Sequence, residues 1–128
     1  MSPETYRVLI VDDEEDILAI TKKSLERYGH SADTFSSSVD ALDHFKNNPT
    51  AYDVVITDVR MPGIRGYDLL KEIKMLNPLV KVFLMSAYEV WQQYSAPNFD
   101  AAVKVDEFLQ KPFDRHLLCV TLRKHMAR

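Results

Sequence analysis

Unbroken apolar runs recur along the chain with no alternation of polar positions: Val8-Leu9-Ile10-Val11, Val54-Val55-Ile56, and Val80 to Met85 with Lys81 as its one polar member. Runs of this kind suit strands of a parallel sheet covered on both faces, where successive side chains all meet apolar surroundings. Ser31 to Phe35 predicts a weaker strand and Glu107 to Gln110 a short fifth one. Between the strands the apolar period lengthens to that of a helix. Ile17, Leu18, Ile20, Leu25 and Tyr28 mark a first helix that stops at Gly29, a residue suited to a left-handed cap. A second starts at Ser37 or Ser38, either of which can cap it, and runs through Ala41, Leu42 and Phe45 to end before Pro49. The third spans Gly66 to Leu76, with Leu69, Leu70, Ile73 and Leu76 on one face, and closes at Asn77-Pro78. The last follows Asp114, with Leu117, Leu118, Leu122 and Met126 facing inward. From Tyr88 to Val105 the pattern breaks, because Pro97 interrupts whatever helix Glu89 to Tyr94 begins; a broken or shifted helix is expected there. Five strands alternating with five helices imply right-handed crossovers between parallel neighbours. The predicted fold is therefore α/β: one doubly wound, five-stranded parallel sheet with helices on both faces.

Length and charge narrow the picture only slightly. A chain of 128 residues, 46% of them hydrophobic, reads as a single domain covering 1–128. A formal charge of -3 argues against bulk attraction to nucleic acid or anionic lipid, so no direct nucleic-acid binding is expected. The sequence has no signal-peptide core and no stretch able to span a bilayer, so no membrane association is expected. Cys119, the single cysteine, falls in an apolar helix as a buried, inert thiol, which fits a reducing cytoplasm. His30, His44, His116 and His125 lie on helices or at a helix end without paired ligand spacing, and surface positions are expected for them.

The candidate chemistry follows from the sheet. In a parallel sheet all carboxyl ends of the strands share one edge, the usual ligand site of open α/β folds. That edge receives Asp12, Asp13, Asp58, Ser86 and Lys111. Glu14, Glu15 and Asp16, beside the acidic pair, fall in the first turn of a helix, where the macrodipole favours each by roughly 0.3 to 1 kcal/mol. Three clustered carboxylates repel one another, so one takes up a proton or a cation binds. Oxygen ligands without His or Cys favour a hard ion such as Mg2+ and disfavour zinc. A carboxylate, a metal, the Lys111 ammonium and the Ser86 hydroxyl together suit phosphoryl transfer to an aspartate, with an acyl phosphate on Asp58 as the product. The chain has no Gly-rich phosphate loop, which points away from ATP as the direct donor and toward another protein or a small phosphodonor.

The acidic pair Asp12-Asp13, the strand Val54 to Asp58 followed by Met61-Pro62-Gly63, Ser86-Ala87, and Phe108 three residues before Lys111-Pro112 occur in that order between about Tyr6 and Met126. In combination they resemble the receiver domain of two-component response regulators. The resemblance implies strand order 2-1-3-4-5 and Asp58 as phosphoacceptor. It implies that Asp13, Asp58 and the backbone carbonyl of Arg60 ligate Mg2+ directly, with Asp12 acting largely through a metal-bound water. Lys111 would contact the phosphoryl group, and the Lys111-Pro112 bond is often cis in such domains. The donor would be a histidine kinase or a phosphotransfer protein, and the domain would catalyse only its own phosphorylation and dephosphorylation rather than act as an enzyme on an external substrate. A switch is implied as well: the phosphoryl group brings about -1.5 to -2 charge, Ser86 moves to bond it, and Phe108 swings into the vacated space. Two charge-assisted hydrogen bonds at about 1.5 to 3 kcal/mol each approach the roughly 5.5 kcal/mol that turns a 1:99 equilibrium into 99:1. The output would be altered binding of a downstream protein or of an output domain beyond this chain, whether the chain is a stand-alone regulator or part of a longer protein, and a homodimer is compatible with it.

Some positions depart from the family pattern. Ser86 stands where Thr is commoner, and the interval from Ser86 to Phe108, with Trp91 and Pro97, is slightly long and lacks the usual Gly-Ala approach to the fifth strand. Arg60 and Tyr88 put large side chains two residues beyond Asp58 and Ser86, which leads us to expect slow loss of phosphate. The competing readings are a degenerate receiver serving as a dimerisation or scaffold module, and a magnesium-dependent phosphatase with an aspartyl nucleophile. The latter expects a second Asp where Arg60 stands.

Overall fold

Val54-Val55-Ile56 becomes the middle of the sheet because its side chains can be buried on both faces at once. In the computed structural model, which describes residues 5–86, 105–111 and 114–126, all three are fully buried. The elements run β1 (Arg7–Val11), α1 (Glu15–Arg27), β2 (Ser31–Phe35), α2 (Ser38–Asn47), β3 (Val54–Asp58), α3 (Gly66–Leu76), β4 (Lys81–Ser86), β5 (Glu107–Gln110) and α4 (Arg115–Met126). All strand pairings are parallel and the order is β2-β1-β3-β4-β5. This is the doubly wound sheet expected from the sequence. Four helices are described; the broken helix expected over Tyr88 to Val105 falls almost wholly on residues outside the described ones.

Strand pleating sorts the core into two layers. Val8, Ile10, Val54, Ile56, Phe83 and Met85 pack with Leu18 and Leu25 of α1 and Leu118 and Leu122 of α4. Leu9, Val11, Val55, Val82 and Leu84 pack with Ala41, Leu42 and Phe45 of α2 and Leu69, Leu70 and Ile73 of α3. Among the described residues, two helices cover each face, as parallel strands joined by crossovers require.

The helix ends obey local chemistry. Gly29 takes the left-handed conformation after α1, with φ 90°. Ser37 is the cap of α2, its hydroxyl accepting the Asp40 N–H at 3.2 Å, and Asp114 Oδ1 accepts the Leu117 N–H at 2.7 Å at the start of α4.

Helix faces are narrower than the apolar pattern suggested. Ile20, Tyr28, Leu76 and Leu117, expected to face inward, are 63%, 40%, 41% and 49% exposed. On α1 the buried stripe is Leu18, Thr21, Ser24 and Leu25, with the Ser24 hydroxyl donating to the Ile20 carbonyl at 2.9 Å. A helix that touches a sheet on one side only needs a stripe, and small residues whose hydroxyls bond back to their own helix fit it as well as leucines do.

The histidines also depart from expectation. His116 is exposed, but His30, His44 and His125 are half-buried and partnered. His30 Nδ1 accepts the Tyr6 N–H at 3.1 Å and its ring stacks on Tyr6, while burial, aided by Arg123, pushes its pKa down. His125 Nε2 lies 2.7 Å from Glu107 Oε2, tying α4 to β5. An imidazole at the margin of a core can bury its ring and still satisfy its nitrogen, which periodicity alone does not reveal.

His44 joins a third such arrangement. The Tyr52 hydroxyl donates to Asp33 Oδ2 at 2.6 Å and lies 2.8 Å from His44 Nε2. Burial, then the hydrogen bond and charge of Asp33, push the Tyr52 pKa well above the ordinary tyrosine range against the opposing pull of Arg7. The folded state therefore holds this proton more tightly than the unfolded chain. The stability this contributes is present in full below the ordinary tyrosine pKa of about 10 and is lost as pH rises beyond it. The urea midpoint of the wild type should accordingly fall more steeply between about pH 9 and 11 than that of Tyr52→Phe; equal slopes would contradict this assignment.

Candidate functional site

Four of the strands, β1, β3, β4 and β5, deliver a polar group at the carboxyl edge of the sheet. β1 passes into Asp12, whose N–H bonds the Phe35 carbonyl at 3.1 Å, so the residue is held by the β1–β2 pairing and is fully buried. Asp13 follows it and is exposed. β3 ends on Asp58, 9% exposed, and the pairing with β4 continues one step beyond it through the Val59 N–H to the Met85 carbonyl at 3.0 Å. β4 ends on Ser86, which is 2% exposed and pairs with Gln110. The Lys111 N–H then bonds the Ser86 carbonyl at 2.7 Å, which fixes the root of the lysine beside the neighbouring strand.

From that root the Lys111 ammonium reaches both buried acids, donating to Asp12 Oδ2 at 2.7 Å and to Asp58 Oδ2 at 3.0 Å. The second oxygen of Asp12 accepts the Glu14 N–H at 3.0 Å. Asp12, Asp13 and Asp58 each offer a carboxylate oxygen within 4.8 Å of the others. Among the described residues, three carboxylates face one ammonium, a formal excess of two negative charges. An all-oxygen set with that excess can hold a divalent cation, and among the described residues no His or Cys joins it.

The ionisation of the site reflects the same imbalance. Burial pushes the Asp58 pKa up, and the Asp12 charge adds to it; hydrogen bonds from Lys111 and from the Arg60 N–H offset only part of this. For Lys111, burial works to lower the pKa, but the bonds to Asp12 and Asp58 prevail and push it up. The lysine is a fixed positive charge in an acidic pocket.

Among the remaining predicted residues, Arg60 has an exposed side chain, and its backbone helps hold the Asp58 pKa down. Phe108, in register with Leu84, is half-buried and packs against the α2/α3 layer of the core. Ala87, Tyr88, Trp91, Pro97 and Pro112 lie outside the described residues.

Gly66 is a site residue that local pattern did not reveal. A Cβ there would lie 2.0 Å from the Asp58 carbonyl oxygen, 2.9 Å from its carbon and 3.0 Å from Val59 Cα. The Gly66 N–H bonds the Val59 carbonyl at 3.0 Å, closing the β3–α3 loop at its base. The sequence marked Gly66 only as the start of a helix; the backbone it presses on is made visible by the fold alone.

A parallel sheet of this order, with buried acids and a lysine converging at the carboxyl edge, defines a receiver-type α/β domain. The chain belongs to the response regulator receiver domain family, whose model matches residues 8–123. It is 36% identical over 110 residues to the DNA-binding transcriptional regulator NtrC of Klebsiella pneumoniae, covering 82% of this chain and 21% of that protein. It is 33% identical over 129 residues to the transcriptional regulatory protein ZraR of Escherichia coli K12, covering 99% of this chain and 28% of that protein. The chain thus spans between a fifth and a third of the length of these relatives. Its fold is similar to the crystal structure of a response regulator receiver domain protein from Clostridium thermocellum, with a TM-score of 0.82, 33% identity, and coverage of 92% of this chain and 91% of that one. Among the described residues no helix is long and apolar enough to cross a membrane.

Because the room at Gly66 is filled by backbone, which cannot step aside as a flexible side chain can, Gly66→Ala should destabilise the protein by about 1–3 kcal/mol in urea unfolding. A change near zero would mean that the α3 start is free to shift away from Asp58.

Proposed function

We propose that Asp58 is the phosphoacceptor of this receiver and takes its phosphoryl group, in a Mg2+-dependent reaction, from the phosphohistidine of a histidine kinase or phosphotransfer protein. The observation that carries this reading is the reach of a single ammonium, Lys111, to both Asp12 and Asp58 inside a three-carboxylate cluster. An Asp58 carboxylate oxygen attacks phosphorus in line, the phosphorus–nitrogen bond to the donor imidazole breaks, and that nitrogen keeps the electron pair and later takes a proton from solvent. The product is an acyl phosphate. Lys111, kept charged by its two acidic neighbours, meets the incoming phosphoryl oxygens and gives up part of its bonding to Asp58 as it does so.

Asp13, Asp58 and the Arg60 carbonyl are the groups we assign to Mg2+. Both Asp12 oxygens are already engaged, by the Glu14 N–H and by Lys111, which favours a role for Asp12 through water. When bound, the ion supplies charge neutralisation for the carboxylates and the phosphoryl oxygens. The donor set fits a hard cation, since it is all oxygen and carries excess negative charge.

Signalling follows from the new charge. The Ser86 hydroxyl, at the end of β4, is the group we assign to bond a phosphoryl oxygen. Phe108, half-buried one strand away, is the side chain whose packing would change in response, altering affinity for a downstream protein or an output domain. By analogy with the two transcriptional regulators above, that output is control of transcription in the cytoplasm, with the receiver itself making no contact with DNA. Its catalysis is confined to its own phosphorylation and dephosphorylation. The aspartyl phosphatase reading lacks the second acid it needs, because Arg60 occupies that position.

Incubation with Mg2+ and acetyl phosphate, followed by intact mass measurement, should give one phosphate adduct that is absent in Asp58→Asn. An adduct that persists in Asp58→Asn, or repeated turnover of an added phosphomonoester, would overturn the assignment.

A further inference from the structure

Ser37 and Ser38 stand side by side at the start of α2 and act in different places. Ser37 caps its own helix. Ser38 is 1% exposed and sends its hydroxyl out of the helix, accepting the Ile64 N–H at 2.9 Å and donating to the Pro62 carbonyl at 3.2 Å. Two other buried hydroxyls on helices bond the preceding turn of their own helix: Ser24 the Ile20 carbonyl and Thr121 the Leu117 carbonyl. Ser38, the first residue of α2, has no such turn before it, and its partners are 24 and 26 residues away.

The two groups it holds flank Gly63, which adopts φ 83° and lies so close to α2 that an added Cβ would sit 3.3 Å from Val39 Cγ2 and 3.4 Å from Ser38 Oγ. This is the tip of the loop that follows Asp58. Gly66 closes the base of that loop on Val59, and between base and tip lies Arg60, two residues beyond Asp58, whose backbone favours the ionised Asp58 carboxylate. One side chain from the helix that follows edge strand β2 therefore holds the backbone groups on either side of the loop tip.

We propose that Ser38 is a positioning residue for the phosphoacceptor site: its hydroxyl holds the loop tip and thereby sets how the Arg60 backbone faces Asp58, so that Mg2+ affinity and phosphate uptake depend on it. The uptake half rests on the assignment of Asp58 given above; the affinity half rests only on the cation site. Ser38 touches no reacting atom. Loss of its hydroxyl leaves the Ile64 N–H and the Pro62 carbonyl to find water, and the loop then samples arrangements in which Arg60 no longer faces the carboxylate.

The test compares Ser38→Ala with Phe83→Leu, which loosens the core on the α1/α4 side of the sheet, away from the loop. Three quantities are measured on the full chain: the Mg2+ dissociation constant by calorimetry, exchange of the Ile64 amide by NMR, and the rate of adduct formation with acetyl phosphate. Ser38→Ala should raise the dissociation constant about three- to tenfold, speed Ile64 exchange and slow adduct formation to a similar degree. Phe83→Leu should lower stability and leave the dissociation constant and Ile64 exchange at wild-type values. Should Ser38→Ala fail to fold, Ser38→Gly removes the same hydroxyl and serves in its place. Wild-type Mg2+ affinity in the hydroxyl-free variant, or an equal loss in Phe83→Leu, overturns the proposal. A wild type that binds Mg2+ but takes no phosphate on Asp58 overturns the phosphoacceptor reading instead, and the dissociation constant and Ile64 exchange still decide the role of Ser38. A wild type without Mg2+ affinity overturns both.

Discussion

Like charges forced together in a largely buried place are the constraint on which this molecule is built. Two carboxylate oxygens no more than 4.8 Å apart repel by about 3–4 kcal/mol at an effective dielectric near 20, a large sum for a domain whose whole stability is about 5–15 kcal/mol. Lys111 offsets part of this by bonding Asp12 and Asp58 together, and it does so from the far side of two strands. The folded state keeps a pocket with an unmet demand for positive charge. The demand is chemically useful, since a divalent cation and the oxygens of a phosphoryl group can be accommodated in turn, each changing the electrostatic account of the site.

Everything around the pocket serves to make that placement non-negotiable. The carboxyl ends of β1, β3 and β4 are in register because their interiors are apolar residues buried on both faces, and a slip of one residue would exchange the two core layers. Backbone bonds then carry the order past the last strand residues: Asp12 to Phe35, Val59 to Met85, Lys111 to Ser86. The loop after Asp58 is held at its base by Gly66 against the Asp58 carbonyl. The same coupling that rigidifies the site also links it to β5, where Phe108 sits in register with Leu84 and packs against the α2/α3 layer.

The parts of this arrangement that could be read in the sequence are those with a local signature. Two-sided strands leave unbroken apolar runs, so Val8 to Val11 and Val54 to Ile56 were legible, and an acid directly after such a run falls at the carboxyl edge by topology alone. Asp12, Asp13 and Asp58 are legible in that way, and Ser86 and Lys111 by their places at the ends of the fourth and fifth strands. Helix faces were less legible. Ile20 and Leu117 point outward while Thr21 and Ser24 point inward, because the helical stripe is set by which side the sheet lies on and an apolar residue on the outer side costs little. The histidines were illegible for a related reason: His30, His44 and His125 find partners in Tyr6, Tyr52 and Glu107, 24, 8 and 18 residues away and outside any helical spacing. Gly66 and Ser38 carry their meaning entirely in contacts with distant backbone, and no periodicity or spacing encodes these.

The most direct test of the charge conflict is a set of four thermal melts: wild type and Asp58→Asn, each with and without Mg2+. Removing one of the crowded charges should raise the melting temperature of the metal-free protein, while Mg2+ at about 100 times its dissociation constant should stabilise the wild type by about 2.7 kcal/mol and the variant by much less. A metal-free Asp58→Asn that melts below the wild type, with Mg2+ leaving both proteins unchanged, would contradict the account at its centre.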